Sequence, residues 1–202
     1  YKVMITSKHL EKSFTYDEYQ QYSQERFTIN KTTGELPEVN TELYLHYTKL
    51  NLSRTARVEK KIELTDEIKN VLGNIKKPQH WVVLAESWCG DVPHSLPIIH
   101  EMAMFQPLIT LRILLRDNNL DIMDAYLTNG GRSIPKLIAF DAKFDKVFFT
   151  WGPRPVALQE EIDKLKTLET LFPAIAEMSQ KWYNKDRGRH VQEELLNCLG
   201  LA

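Results

Sequence analysis

The chain has 202 residues, 43% of them hydrophobic, and its 26 basic and 27 acidic side chains leave a net charge of −1. This composition suits one domain with a substantial core, and the charge balance argues against nucleic acid or an anionic membrane surface as a partner. No apolar run approaches the roughly 18 residues that a membrane span needs, and the first residues carry no apolar signal-peptide core. Two cysteines do not make a disulfide framework, so we expect a reducing compartment and a cytoplasmic protein.

The N-terminal third of the chain is predicted to be helical. Thr15 can cap a first helix, with Glu18 closing a capping box, and that helix should run to about residue 27. A third helix should begin after Thr65 and end before Pro78. Between them, a second helix reaching toward Arg57 is indicated by apolar residues at i, i+4 and i+7, namely Leu43, Tyr47 and Leu50.

Four basic residues lie near the end of that second helix. They are Arg54, Arg57, Lys60 and Lys61. Such a cluster is typical of a solvated helix face, and the alternative is a site for an anion or a partner.

A cysteine follows the most apolar segment of the chain. The five residues from Trp81 to Ala85 predict a buried strand, and apolar residues then recur at helical spacing from Ile98 to Phe105. Cys89, in the sequence Trp88-Cys-Gly-Asp91, falls at the junction between the two. At a helix start the free N–H groups and the helix dipole both favour a thiolate.

The remaining residues predict an alternation of strands and helices. A second buried strand covers 109–115, a short helix follows Asn118 or Asn119, and strands at 135–140 and 147–151 form an antiparallel pair before a helix that starts at Pro155. The short helix should bury Leu120, Met123, Tyr126 and Leu127. Two further helices are indicated by the apolar positions Leu171, Ile175, Met178 and Trp182, and then Val191, Leu195, Cys198 and Leu199.

Around Cys89 the sequence resembles the thioredoxin family, whose active site is W-C-G-P-C. Pro97 stands where family members carry a helix proline, and Arg132-Ser-Ile-Pro135 resembles the family's cis-proline strand. The resemblance covers roughly residues 78–170 and implies an α/β thioredoxin-like fold, with a central mixed sheet flanked by helices. Residues 1–77 and 171–202 would then be helical extensions that pack on it as one compact unit.

The resemblance also implies a site. Cys89 would be the catalytic thiol, Pro135 would be cis and close to it, and the substrate would contact Trp88, Gly90, Asp91, Arg132, Ile134 and Pro135. Val92 replaces the family's second cysteine, Asp91 replaces its central proline, and Val83 stands where a buried acid is often found. We expect Cys89 to titrate modestly below the usual ~8.5, because Asp91 in an exposed turn offsets the dipole.

Other candidate residues have two interpretations each. His94 is a proton carrier or a structural residue, and the turn 151–155 lines the same groove or is simply rigid. Cys198 is a buried small hydrophobe, unless its Cα lies within ~7 Å of that of Cys89 and the two pair. The spacing of acids, histidines and cysteines matches no metal motif, so we expect neither metal nor cofactor.

Two functions follow from these observations. In the first, Cys89 exchanges with a disulfide-bearing protein or a small thiol adduct, and an external thiol resolves the mixed disulfide. In the second, the protein is a non-catalytic thioredoxin-like module that binds a protein or peptide through the groove beside Trp88 and Pro135. Whether the protein is an enzyme stays open.

Overall fold

The computed structural model describes residues 5–200 of the chain. Within this range there are nine α-helices, four strands and two short 3-10 turns, at Pro37–Val39 and Arg116–Asn118. The helices are α1 (Ser7–Glu11), α2 (Tyr16–Thr28), α3 (Glu42–Glu59), α4 (Asp66–Gly73), α5 (Val92–Phe105), α6 (Leu120–Ala125), α7 (Val156–Thr167), α8 (Phe172–Asp186) and α9 (Arg189–Gly200). The strands are β1 (Gln79–Ala85), β2 (Ile109–Leu115), β3 (Lys136–Asp141) and β4 (Val147–Trp151).

The four strands form one mixed sheet in the order β2-β1-β3-β4. Strand β1 is parallel to β2 and antiparallel to β3, and β3 is antiparallel to β4. The predicted mixed sheet flanked by helices is therefore confirmed, with β1 in the interior. Because β1 has neighbours on both edges and helices on both faces, its residues from Trp81 to Ala85 are fully buried.

Alternate residues of β1 enter two separate cores. Trp81 and Val83 face a large cluster that includes Leu96 and Ile99 of α5. Val82 and Leu84 face a smaller cluster on the other side of the sheet, with α6 and β3. This alternation is the period of two expected of a strand, and it fixes β1 rigidly enough to position the loop at its carboxyl end.

The chain before α2 covers part of the open edge of β2. Phe14 and Ile113 exchange two backbone hydrogen bonds, each 2.8 Å long. The Arg112 guanidinium adds hydrogen bonds to the hydroxyl (2.7 Å) and the carbonyl (2.8 Å) of Ser13. The N-terminal segment is thus joined to the sheet by both backbone and side chain.

Helix α3 differs from the sequence prediction in the face that it buries. Leu43 is 55% exposed, and the buried positions are polar: Thr48, Asn51 and Thr55. The reason is the environment, since this face of α3 meets the polar loop after β1, where backbone carbonyls need donors. Two smaller differences concern helix ends, because α6 stops at Ala125 and leaves Leu127 exposed, and α4 stops at Gly73.

The C-terminal helices pack onto the rest of the molecule. Residues Val191 and Leu195 of α9 join the large core, while Ile175 and Tyr183 of α8 pack with α7. The division of the chain near residues 78 and 170 stays a prediction. Among the helices of residues 5–200, none combines the length and the apolar character needed to cross a bilayer.

Candidate thiol site

Cys89 lies in the loop between β1 and α5, three residues before the helix begins. Its Sγ donates a hydrogen bond to the Ile134 carbonyl at 3.2 Å, and its backbone N–H bonds to the Glu86 carbonyl. The Ile134–Pro135 peptide bond is cis. The predicted cis proline close to Cys89 is therefore confirmed.

The prediction that the pKa of Cys89 lies below that of an ordinary cysteine is wrong. Burial and the nearby Asp91 carboxylate raise the pKa of the thiol to about 12. The N–H groups of Asp91 and Val92, together with the Arg154 guanidinium, act in the opposite sense but do not compensate. The sequence pattern locates the helix-start donors correctly, but it does not show how far the surrounding residues desolvate the sulfur of this partly buried cysteine.

The turn that holds Asp91 is buried, not exposed as expected. Only 8% of Asp91 is accessible to solvent. Its Oδ2 accepts two hydrogen bonds from the Arg154 guanidinium, at 2.7 and 3.0 Å, and its Oδ1 accepts one from the Tyr183 hydroxyl at 2.6 Å. The turn 151–155 therefore reaches the site through Arg154, and α8 reaches it through Tyr183.

Helix α3 holds the same loop from the other side. The Asn51 side-chain amide donates to the carbonyls of Ser87 (2.9 Å) and Cys89 (3.1 Å). Arg54 in turn donates to the Asn51 oxygen at 2.8 Å, which orients the amide. Asn51 was not predicted from the sequence, although Thr48, Asn51 and Thr55 recur at helical spacing and could have indicated a buried polar face.

A buried acid does lie near the thiol, at Glu86 rather than at position 83. Its side chain is fully buried, accepts hydrogen bonds from the Thr33 hydroxyl and from the Asp117 N–H (3.0 Å), and has its pKa raised to about 7 by burial. Thr33 also accepts a hydrogen bond from the Ser87 N–H. The sequence signal for Glu86, an acid directly after an apolar strand, was missed.

Trp88 and Arg132, two of the residues predicted to contact the substrate, lie in different surroundings. Trp88 is partly buried under the Arg116 guanidinium, whose carbon lies 4.7 Å from the ring centre, and the Tyr44 ring is perpendicular to it with ring centres 5.4 Å apart. Arg132 is half-exposed and bound to Asp124 by two hydrogen bonds of 2.6 and 2.8 Å. Its positive charge is thus matched by Asp124 at the surface.

His94 is not suited to carry a proton from the thiol. It is buried, stacks on Tyr183 with ring centres 4.2 Å apart, and shares a hydrogen bond of 2.8 Å with Gln180. Burial lowers the pKa of His94 to about 4, so the imidazole is a weak base near neutral pH. Gln180 also lies against Gly90, where a Cβ would stand 3.7 Å from its Nε2.

Neither cysteine forms a disulfide. Cys198 lies on α9, partly buried against the large core, and both thiols are free. Among residues 5–200, no three side chains of His, Cys, Asp or Glu cluster in a way that would hold a metal ion.

Comparisons with known proteins agree with this architecture. Two solved structures share the fold: a Pseudomonas aeruginosa protein of unknown function (TM-score 0.58, 17% identity, covering 93% of this chain and 98% of the other) and an HIV epitope-scaffold (TM-score 0.56, 20% identity, covering 89% and 98%). No curated protein matches the chain. A sequence model described as thioredoxin matches residues 38–166, more than half of the chain, which therefore belongs to the thioredoxin family.

Proposed function

We propose that the protein is a monothiol disulfide-exchange protein that acts through Cys89. The observation that carries this proposal is the position of the sulfur, which lies 3.2 Å from the Ile134 carbonyl, next to the cis proline, and under the N–H groups of Asp91 and Val92. A disulfide substrate, either a protein or a small thiol adduct, would extend its chain beside Ile134 and Pro135. Trp88, Gly90 and Arg132 would complete the contact surface.

The exchange needs two steps and one external reagent. The Cys89 thiolate attacks one sulfur of the substrate disulfide, forms a mixed disulfide and expels the other sulfur as a thiolate. Because Val92 stands where a resolving cysteine would be, a second, external thiol then attacks the mixed disulfide. That attack restores Cys89 and leaves the substrate sulfur joined to the external thiol.

The raised pKa of Cys89 makes the first step slow at neutral pH. With a pKa of about 12, only about one thiol in 10⁵ is ionised at pH 7. The higher intrinsic nucleophilicity of such a thiolate recovers part of the loss, so the attack is roughly 100-fold slower than that of an ordinary cysteine. The rate should therefore rise about tenfold per pH unit across the range in which the protein stays folded.

The same observation favours a second candidate function. A thiol that is protonated, partly buried and hydrogen-bonded to Ile134 also serves as a structural donor that ties the start of α5 to the cis-proline loop. The protein would then be a non-catalytic thioredoxin-like module that binds a protein or peptide at this groove.

One experiment separates the two functions. A Cys198→Ala protein, which keeps Cys89 as its only thiol, is incubated with glutathione disulfide at pH 7, 8 and 9, and intact mass is followed. Monothiol exchange predicts one glutathione adduct that forms about tenfold faster with each pH unit and is released by excess free thiol. A Cys89→Ser protein, which keeps Cys198, measures the background.

The contrary result is equally specific. If the native protein gains no adduct within hours at pH 9, while the same protein in urea is modified at Cys89, the thiol is not chemically available in the fold. The binding-module function then replaces the exchange function.

A further inference from the structure

A cavity of about 220 Å³ lies between α3, α5, α8 and the start of α9. The buried side chains of His94, Ile98 and Tyr183 line it, and the exposed side chains of Arg57, Lys61 and Arg187 surround them. The cavity is smaller than the roughly 300–1,000 Å³ of sites for drug-sized ligands, so it suits a compact ligand.

Positively charged side chains line the cavity. Arg57, Lys61 and Arg187 contribute to its lining, which contains no carboxylate. Within residues 5–200, no carboxylate lies in ion-pair range of these three cations. Two acids near the cavity are paired with other cations, since Asp186 contacts His190 and Arg189, and Asp91 contacts Arg154. Three cations around one small cavity produce a concentrated positive potential that favours an anion.

A side-chain hydrogen bond holds one of the cations, Arg57, and a second, Arg187, has an unusual backbone conformation. The Arg57 guanidinium donates to the Asn184 oxygen at 3.0 Å, which directs it across the cavity from α3 to α8. Arg187 ends α8 in the left-handed conformation, with φ 55° and ψ 33°. This position is usually taken by glycine or asparagine, because other residues are strained there.

The turn that carries Arg187 is fixed against α5. The next residue, Gly188, is also left-handed with φ 78°, and a side chain there would collide with Cδ1 of Ile98. Gly188 therefore brings the backbone of this turn against Ile98 in the wall of the cavity, with Arg187 directly before it.

We propose that this cavity binds a small oxyanion with two or more negative charges, such as a compact phosphate or polycarboxylate compound. Arginine forks and the lysine ammonium match the oxygens of both classes. The inference does not depend on the chemistry of Cys89, because the lining does not include that residue.

Isothermal titration of the full-length protein with pyrophosphate and with citrate tests the proposal. We expect saturable binding of one molecule per chain in at least one titration, and the preferred probe identifies the phosphate or the carboxylate class. Arg187→Asn keeps a residue that tolerates the left-handed turn but removes the cation. Because hydrogen bonds to charged groups are strong, this variant should bind about 10- to 100-fold more weakly.

The matched control is Lys185→Asn, which removes one positive charge from the same helix at an exposed residue outside the lining. It should bind with the affinity of the unchanged protein, and circular dichroism confirms that both variants are folded. Two results would overturn the proposal. One is no saturable binding of either probe at millimolar concentration, and the other is an equal loss of affinity in the two variants, which would indicate only a general effect of net charge.

Discussion

Two buried carboxylates flank Cys89, and they are satisfied in different ways. Glu86, on the side of the N-terminal helices, is fully buried and accepts hydrogen bonds from a hydroxyl and a backbone N–H. Asp91, on the side of the C-terminal helices, is bound by the Arg154 guanidinium and the Tyr183 hydroxyl. Burial raises the pKa of Glu86 to about 7, whereas a cation faces the charge of Asp91. The two carboxylates therefore differ in the partners that satisfy them, a guanidinium and a hydroxyl at Asp91 and two neutral donors at Glu86.

The largest expected effect comes from removing the cation on the Asp91 side. Arg154→Met leaves the Asp91 carboxylate buried without its partner, and breaking a buried pair in this way typically costs 3–5 kcal/mol. Urea unfolding at pH 7 should show a loss of about this size. As a control, Arg132→Gln breaks the surface pair with Asp124 and should cost at most about 1 kcal/mol. Equal losses in the two variants would contradict the distinction drawn between the buried and the surface pair.

The next-largest effect is the contribution of Glu86 to the pH dependence of the free energy of unfolding. The folded-state pKa of about 7 lies above the unfolded value of 4.5, so the folded protein binds the extra proton between these pH values. Stability from this group is therefore present below about pH 4.5 and is lost as the pH rises through 7, by up to about 3 kcal/mol. Glu86→Gln should remove this part of the pH dependence.

Unfolding by urea at pH 5.5 and pH 8 measures that difference. The unchanged protein should lose more stability between the two pH values than Glu86→Gln does. The exposed Glu38→Gln serves as the control and should follow the unchanged protein. A Glu86→Gln protein with the original pH dependence would show that Glu86 is ionised throughout the range.

The smallest effect is on the thiol itself. Asp91→Asn removes the negative charge that helps to raise the pKa of Cys89 and releases the Arg154 guanidinium, so the pKa should fall. A fall of about one pKa unit makes alkylation by iodoacetamide about threefold faster at pH 8, because the roughly tenfold gain in thiolate is partly offset by its lower nucleophilicity. The control is Asp124→Asn, at the surface pair. An unchanged rate in Asp91→Asn would leave burial as the sole cause of the high pKa.

Most of the fold was predictable from local patterns. The apolar run from Trp81 to Ala85 predicts the interior strand, the Thr15 cap predicts the start of α2, and the residues around Pro135 predict the cis-proline strand. These features depend on residues that are close in sequence or on a motif of fixed spacing. The mixed sheet follows from them once the family resemblance is recognised.

The electrostatics of the site were not predictable in the same way. The pKa of Cys89 depends on its burial, and the Asp91 carboxylate is bound by Arg154 and Tyr183, which lie 63 and 92 residues away in the chain. Such pairings become visible only in three dimensions. Asn51 is the exception, because its helical spacing from Thr48 and Thr55 is present in the sequence.

The bridge between Phe14 and Ile113 has a consequence for self-association. An unpaired edge strand is a template on which another chain can add a strand and begin to aggregate. The two hydrogen bonds to Phe14 occupy both backbone groups of Ile113, and Arg112 is engaged with Ser13. An incoming strand must therefore displace this segment before it can pair along the middle of β2. The N-terminal segment thus protects this edge against aggregation by strand addition.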